Sequence, residues 1–396
     1  VSFVGVAVVL SIRDIVFKNN NQCNNVLVAC QTREELNLPA ANLNLDTISN
    51  EDASKAWSVL QDLKAPQGLR ACCAFGYNLQ AEVAGIPVPF YTIDNIVEAD
   101  NLGEHHYNDS YLGATAGLMG ISNEKVGLIY TIDGGFIDIA HVRDTADYTL
   151  YLFSQIYPKL GEEWTLTLSD ELASRQIHFS AFTPPASPAE RYTLSTYLAA
   201  KLAFQLAAWH EIAQWYGYQS VPGFSEGISA FSPEDLYSNL VGARLASSLI
   251  LQGRAESLAI FSQSLEALLP IALHQLGAQE KPLTRYAFNK IDGLWWNSAK
   301  RVPDKFLVLT RDYDTTDSRY PFLPTQAVAT LGLKLSLPSE YAGFALSSLA
   351  QFRLVPTDHM AQLPIPETYW TVDDFKRLAE NAKIEDQKQQ TVPFND

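Results

Sequence analysis

Two ionisable residues stand side by side in "WHEIAQWYG" at 209–217. His210 and Glu211 interrupt a run otherwise suited to the interior of a helix. The spelling approaches H-E-x-x-H, in which two histidines one helical turn apart bind zinc and the glutamate acts as base. Here Gln214 stands where the second histidine is needed, and a glutamine is a poor zinc ligand. Helical spacing puts Ala199, Ala203, Leu206 and Ala207 behind His210. Such small residues let another helix approach closely. Glu211 lies about 100° further round, among Ala207, Ala208 and Trp215. Buried ionisable groups are costly unless paired, protonated or bound to metal. The plain alternative is a core histidine with Glu211 matched to an arginine.

A second group lies in "DGGFIDIAHVRDTADYT" at 133–149. On a helix, Asp138, His141, Thr145 and Tyr148 share one face, with Asp144, Asp147 and Tyr151 on the next. A histidine with carboxylates three residues either side can be a metal ligand, a general base with its orienting acid, or a set of surface ion pairs. The apolar residues around it argue against full exposure. A third feature is Glu226, in the glycine-flanked loop "VPGFSEGISAF". Loops of this kind carry functional side chains on a rigid scaffold, although a solvated carboxylate is the commoner outcome. If His141, His210 and Glu226 meet, they form a ligand set for a divalent metal such as zinc. Glu211 and Asp144 are then the candidate catalytic carboxylates, as general base or as support for a ligand. Cys72 and Cys73 in "RACCAFGYN" offer a thiol nucleophile as a competing chemistry, or two core thiols. "GEHHYND" at 103–109 reads as a polar loop. No phosphate loop, dinucleotide fingerprint or G-x-S-x-G elbow is present.

The elements that would position these groups are readable in outline. "TPPASPAE" breaks the chain before a long helix over 188–217, which carries His210. "SPEDLYSNLVGARLASSLIL" opens the next helix with Ser232 as its cap, Pro233 in the first position and Asp235 in the third. A helix is expected directly after the "DGG" turn, further helices over 49–63 and 254–276, and a partly helical stretch from Lys281. "VGLIYTI" is a short buried strand, "EWTLTL" and "RQIHFSAF" pair as strands, and "DKFLVLTRDYD" at 304–314 reads as a strand. Pro87 and Pro89 confine "EVAGIPVPFYTIDNIV" to an edge strand or an extended loop. The fold class expected is α+β, predominantly helical with a small antiparallel β component. Residues 1–48 form a lead-in, 49–383 a single α-rich domain and 384–396 a flexible tail.

The chain has 396 residues, 28 basic against 44 acidic, for a net charge of −16. That field repels phosphate backbones, so nucleic-acid binding is not expected. The four cysteines, Cys23, Cys30, Cys72 and Cys73, have no C-x-x-C spacing, and one disulfide or free thiols fit equally. "VSFVGVAVVLSI" is too short to span a bilayer. It suits the apolar part of an export signal, without the basic start, and "LVAC" ending at Cys30 has the local form of a lipoprotein cleavage box.

Taken together, "CCAFG", "GGFIDIAHVRD" and "WHEIAQWYGYQSVPGFSEGISAFSPEDLYSN" resemble a bacterial family, the domain of unknown function 4056, over roughly residues 66–360. The resemblance implies an exported or lipoprotein-like protein, in the periplasm or at the outer membrane through a signal or lipid anchor. It brings no reaction. The function expected is a metal-dependent or acid/base hydrolase of the cell envelope, acting on a small molecule or an envelope component. The alternative is a non-enzymatic binding or structural protein in which these residues form a buried ion-pair network.

Overall fold

The computed structural model describes residues 74–83, 86–109, 123–219, 226–324, 332–359 and 365–391, together with positions 49, 51, 53, 63–67, 70 and 363. All four cysteines lie outside these residues, as does most of the helix expected over 49–63, of which residues 51 and 53 are helical.

Three helices form the centre. They are α1 (Ile139–Ile156), α2 (Pro188–Trp215) and α3 (Asp235–Leu251), each packed on the other two. Every residue of α3 is buried, and all of α1 except Gln155. A helix apolar or small all round has no solvent face to spare, which is why polar residues on these three must find partners inside the protein. Around them lie α4 (Leu258–Gln275), α5 (Lys281–Lys290), the one-turn α6 (Leu346–Leu349) and α7 (Val372–Thr391).

The strands are short and antiparallel. β1 (Leu79–Val83) pairs with β2 (Ile86–Ile93), and β3 (Leu128–Thr131) with β4 (Gly135–Asp138). β5 (Trp164–Thr167) and β6 (Ser174–Phe179) pair as expected from their alternation. Two minimal ladders follow, β7 (Ser318–Arg319) with β8 (Leu335–Ser336) and β9 (Glu340–Tyr341) with β10 (Phe344–Ala345). β11 (Ala350–Val355) joins the free edge of β6. The fold is α+β, with helices dominant.

Several boundaries differ from the sequence expectation. No helix starts directly after the "DGG" turn. Gly135–Asp138 first folds back on β3, with Ile137 opposite Ile129, and buries Phe136 against Phe75 and Phe288. Gly135 makes this turn at φ 67, where a Cβ would lie 2.2 Å from the Phe322 carbonyl. The helix begins one strand later, capped by Asp138, whose Oδ1 accepts from the Ala140 N–H at 2.7 Å. Ser187 caps α2 with Pro188 at its first turn. Ser232 does not cap α3; it closes a turn before it, and Glu234 takes the cap position without a side-chain bond. Residues 304–314 form a 3₁₀ turn and irregular backbone, because Asp304 accepts from the Phe306 N–H and curls the chain. The flexible tail expected from 384 is helix through Thr391, and its Asp386 is buried.

One glycine sets the spacing of the central helices. A Cβ at Gly242 on α3 would lie 2.2 Å from the Val142 carbonyl on α1. Overpacking of this kind costs about 1–3 kcal/mol. Gly242→Ala is expected to lower stability by that amount in urea unfolding, by prising α3 away from α1. An unchanged midpoint would mean that the backbones absorb the methyl group elsewhere.

Candidate metal centre

The starts of α1 and α3 bring acids together. Asp138 ends β4 and caps α1, and His141 follows one turn on. Glu234 and Asp235 begin α3. Among the described residues, one group has ligand atoms close enough to share an ion: Asp138, His141 and Asp235, all buried, within 4.8 Å of one another. This buried group could hold a metal. His141 Nε2 lies 3.4 Å from Asp235 Oδ1. Two ligands about 2.1 Å from a tetrahedral ion stand roughly 3.4 Å apart, so this edge already has the separation coordination needs. The Asp138 backbone N–H donates to Ser238 Oγ at 2.9 Å, tying the two helix starts together. Helix N-termini favour negative charge, which accounts in part for acids at both.

His141 is presented as a neutral imidazole. Burial, then the charge of His210, lowers its pKa to about 3 against the opposing hydrogen bond of Asn239. Asn239 Nδ2 meets His141 Nδ1 at 3.2 Å, and Thr145 Oγ1 donates to Asn239 Oδ1 at 2.6 Å, which fixes the amide. Asn239 thus orients the ring from α3 and, by donating to Nδ1, leaves the proton of the neutral ring on Nε2 beside Asp235; an ion at Nε2 requires that proton to leave or the amide to turn so that Nδ1–H donates to Oδ1.

The carboxylates show the opposite condition. Burial pushes Glu211 up to about 7 and raises Asp235 and Glu234 well above the usual carboxylate range. Glu211 and Asp235 are close enough to influence each other, which raises Asp235 further. Glu211 Oε2 also accepts from the Phe231 N–H at 2.7 Å, in a turn where Phe231 stands at φ 58. Among the described residues no group donates with normal geometry to Glu211 Oε1, to either Asp235 oxygen or to the Glu234 oxygens. Arg311 is within electrostatic reach of Glu211 and Asp235, but its N–H groups go to the carbonyls of Ala230, Ile228 and Lys305. Behind Arg311, buried Asp386 of α7 accepts from Tyr313 (2.5 Å) and Trp215 (3.0 Å) and pairs with Lys305 (2.5 Å).

The sequence-derived candidates fall into three places. His141, Asp144, His210 and Glu211 all line one cleft between α1 and α2. His141 belongs to the group whose atoms converge. His210 faces away from it: Nδ1 points to Glu171 Oε2 at 3.4 Å. Burial would lower its pKa, but the Glu171 carboxylate overrides this and raises it to about 9. His210 is not among the residues whose ligand atoms converge. Glu226 lies beside Gln214 (3.2 Å), within electrostatic reach of His210, and the expected His141–His210–Glu226 set does not come together. Asp144 belongs to a different network. Arg70 Nη1 bonds Asp144 Oδ1 (2.7 Å) and Asp147 Oδ2 (2.9 Å), and its Nε bonds Glu124 (2.8 Å). Arg143 also holds Glu124, and His105 bridges Asp147 and Glu124.

Asp235 was legible only as a helix-start residue, Asp138 only as a carboxylate on the face of His141, and Asn239 carried no signal. The spacing Asp138–His141 put both on one face, but "SPED" spells a helix cap as well as it spells a ligand.

Residues 60–325 match the profile of the family described as "Protein of unknown function (DUF4056)". The chain belongs to that family. No curated protein and no solved structure matches it. The matched span of this DUF4056 chain contains the whole converging group, together with the cleft and the Arg70 network.

The His210–Glu171 contact carries a pH signature. The folded pKa of His210, about 9, lies above its ordinary value of about 6.5. The contribution is therefore complete below pH 6.5 and is lost as pH rises through 9. A shift of that size corresponds to stability on the order of 3 kcal/mol. Urea midpoints from pH 7 to 10 are expected to fall for the wild type and to stay flatter for His210→Gln. Parallel curves would remove the ion pair from the account.

Proposed function

We propose that Asp138, His141 and Asp235 hold a divalent ion and that the adjoining cleft hydrolyses a small substrate, with Glu211 as general base. The observation that carries this is the convergence of three buried ligand side chains, Asp138, His141 and Asp235, within 4.8 Å of one another beside a cleft. Buried carboxylates are costly unless paired, and a divalent cation is the partner that also accepts imidazole. A mixed nitrogen and oxygen set suits zinc, with manganese the main competitor. Such an ion lowers the pKa of bound water to about 7. Glu211, itself raised to about 7, is matched to take that proton near neutral pH.

An envelope location belongs to the same proposal. It rests on the apolar first twelve residues and on the family resemblance. Among the described residues no helix is long and apolar enough to cross a membrane. A second reading, a non-enzymatic protein, is favoured by the Arg70 network, which engages Asp144 as structure rather than chemistry.

The test is elemental analysis of protein purified without chelator, followed by zinc and manganese titrations read by calorimetry and melting. One ion per chain, a raised melting temperature, and chelator-sensitive hydrolysis in a panel of nitrophenyl esters, phosphoesters and acyl amino acids are expected. Absence of a stoichiometric ion with either metal would remove the metal centre. A bound ion with no hydrolysis across the panel would favour the second reading.

A further inference from the structure

The two ends of one amide decide which nitrogen of His141 carries the proton. Asn239 is buried on α3 and lies against two residues of α1. Its Nδ2 donates to His141 Nδ1 at 3.2 Å, and its Oδ1 accepts from Thr145 Oγ1 at 2.6 Å. Nδ1 is therefore the lone-pair side of the ring, and the N–H of Nε2 faces Asp235 Oδ1 at 3.4 Å. In this arrangement the nitrogen that would meet an ion is the protonated one.

Loading needs a lone pair on Nε2, and three routes to it differ in what they leave behind. Stripping the proton from a neutral imidazole would make an anion beside buried Asp138, Glu211, Glu234 and Asp235, where a further negative charge is costly. Moving the proton to Nδ1 with the amide fixed would set two N–H donors against each other across 3.2 Å and leave both unmatched. Moving the proton and turning the amide by half a turn about its Cβ–Cγ bond keeps both of its ends engaged. Nδ1–H then donates to Oδ1, and Nδ2 comes to face Thr145.

Thr145 completes the turned state. A hydroxyl both donates and accepts, so Oγ1 takes a bond from Nδ2 where it gave one to Oδ1. Its own proton then goes to the carbonyl one turn back on α1, that of His141, which is where helical threonines bond. The same helix does this four residues on, where Thr149 Oγ1 donates to the Thr145 carbonyl at 2.7 Å.

We propose that Asn239 is a two-position latch on the metal centre, its amide turning as the ion enters so that the His141 proton passes from Nε2 to Nδ1. The ring stays neutral, and it gains and loses no proton overall. Asn239 is a positioning residue and not a ligand. Its amide serves both forms of the ring, which lowers affinity and keeps the ion exchangeable. A carboxylate there could only accept, and would hold the Nδ1–H form permanently. The inference rests on the proposed metal centre, and it assigns what governs loading there.

The experiment uses the full chain with isotope-labelled histidine, treated with chelator and then titrated with zinc chloride. Nitrogen–proton correlation spectra report the tautomer, and His141→Gln picks out the His141 signals among the seven histidines. In the metal-free chain the His141 proton is expected on Nε2, and zinc is expected to move it to Nδ1. Asn239→Asp is expected to show the Nδ1–H form before zinc is added and to bind zinc about tenfold tighter by calorimetry. Circular dichroism checks that this variant folds, and the wild-type spectra decide the matter if it does not. One tautomer in both states of a zinc-binding wild type, or a folded Asn239→Asp that binds zinc no tighter, would overturn the latch alone. A wild type that binds no zinc would sink the metal centre and the latch with it.

Discussion

Asp235→Asn is expected to abolish stoichiometric metal binding while raising the melting temperature of the metal-free protein. The two effects share one cause. Asp235 is fully buried, beside Glu211 and within reach of Glu234 and Asp138. Without a cation it must keep a proton that an unfolded aspartate releases near pH 4. Folding at neutral pH therefore costs proton uptake, and an amide of the same shape has no such cost. Relief of strain at a functional group typically returns about 0.5–2 kcal/mol, several degrees of melting temperature for a small domain and fewer for a chain this long. Added zinc is expected to reverse the order, stabilising the wild type and leaving Asp235→Asn unchanged. Calorimetric melting of both proteins, with zinc and with chelator, checks it. A variant that melts lower under both conditions would make Asp235 a structural acid.

Arg70→Met is expected to be the most damaging single change outside the candidate centre. Its guanidinium reaches Glu124, Asp144 and Asp147, and its backbone N–H also donates to Asp144 at 2.9 Å. Removing one partner of a buried ion pair costs about 3–5 kcal/mol, since the charges left behind stay buried. The loss should depend on pH. Burial alone would raise the Glu124 pKa, but Arg70, with His105 and Arg143, holds it well below the usual range. That contribution is present above the ordinary carboxylate pKa and disappears as pH falls through the depressed one. The gap between wild type and variant should therefore narrow in acid. Asp144 behaves differently, because burial raises it to about 6, and Asp144→Asn should cost far less than Arg70→Met. Urea unfolding at pH 7 and pH 4 measures both, and a gap of constant size would refute the electrostatic account.

How much of this was legible in the sequence follows the range of the interactions. The long helix α2 was, because Ser187 and Pro188 mark its start locally and apolar residues fill its length. The β5–β6 pairing was, because alternation is a property of neighbours. β4 was hidden, since four residues between a glycine turn and a helix spell nothing distinctive until β3 lies alongside them. The candidate site was half visible. Asp138 and His141 share a helical face, and His210 and Glu211 stood out as ionisable residues among alanines. Their roles were not legible. His210 becomes a cation through Glu171, on a turn 39 positions earlier. Asp235 looked like capping chemistry, and only the packing of α3 on α1 brings it within 3.4 Å of His141. The polar spelling of the last residues gave no sign that Asp386 is buried.

That last residue separates where the family is matched from where the protein folds. The family match ends at 325, whereas Asp386 sits on α7. Through Lys305 and Arg311 it holds the 228–231 turn that presents an N–H to Glu211. A chain cut at 325 would retain every converging ligand and lose the clasp behind the proposed base. Arg311 and Lys305 would lose the anion they share, and the Trp215 indole would lose its acceptor. Such a fragment should bind metal weakly and turn over poorly. The contacts that hold the 228–231 turn therefore extend beyond the matched segment, and the C-terminal helix braces from behind the turn on which the proposed base leans.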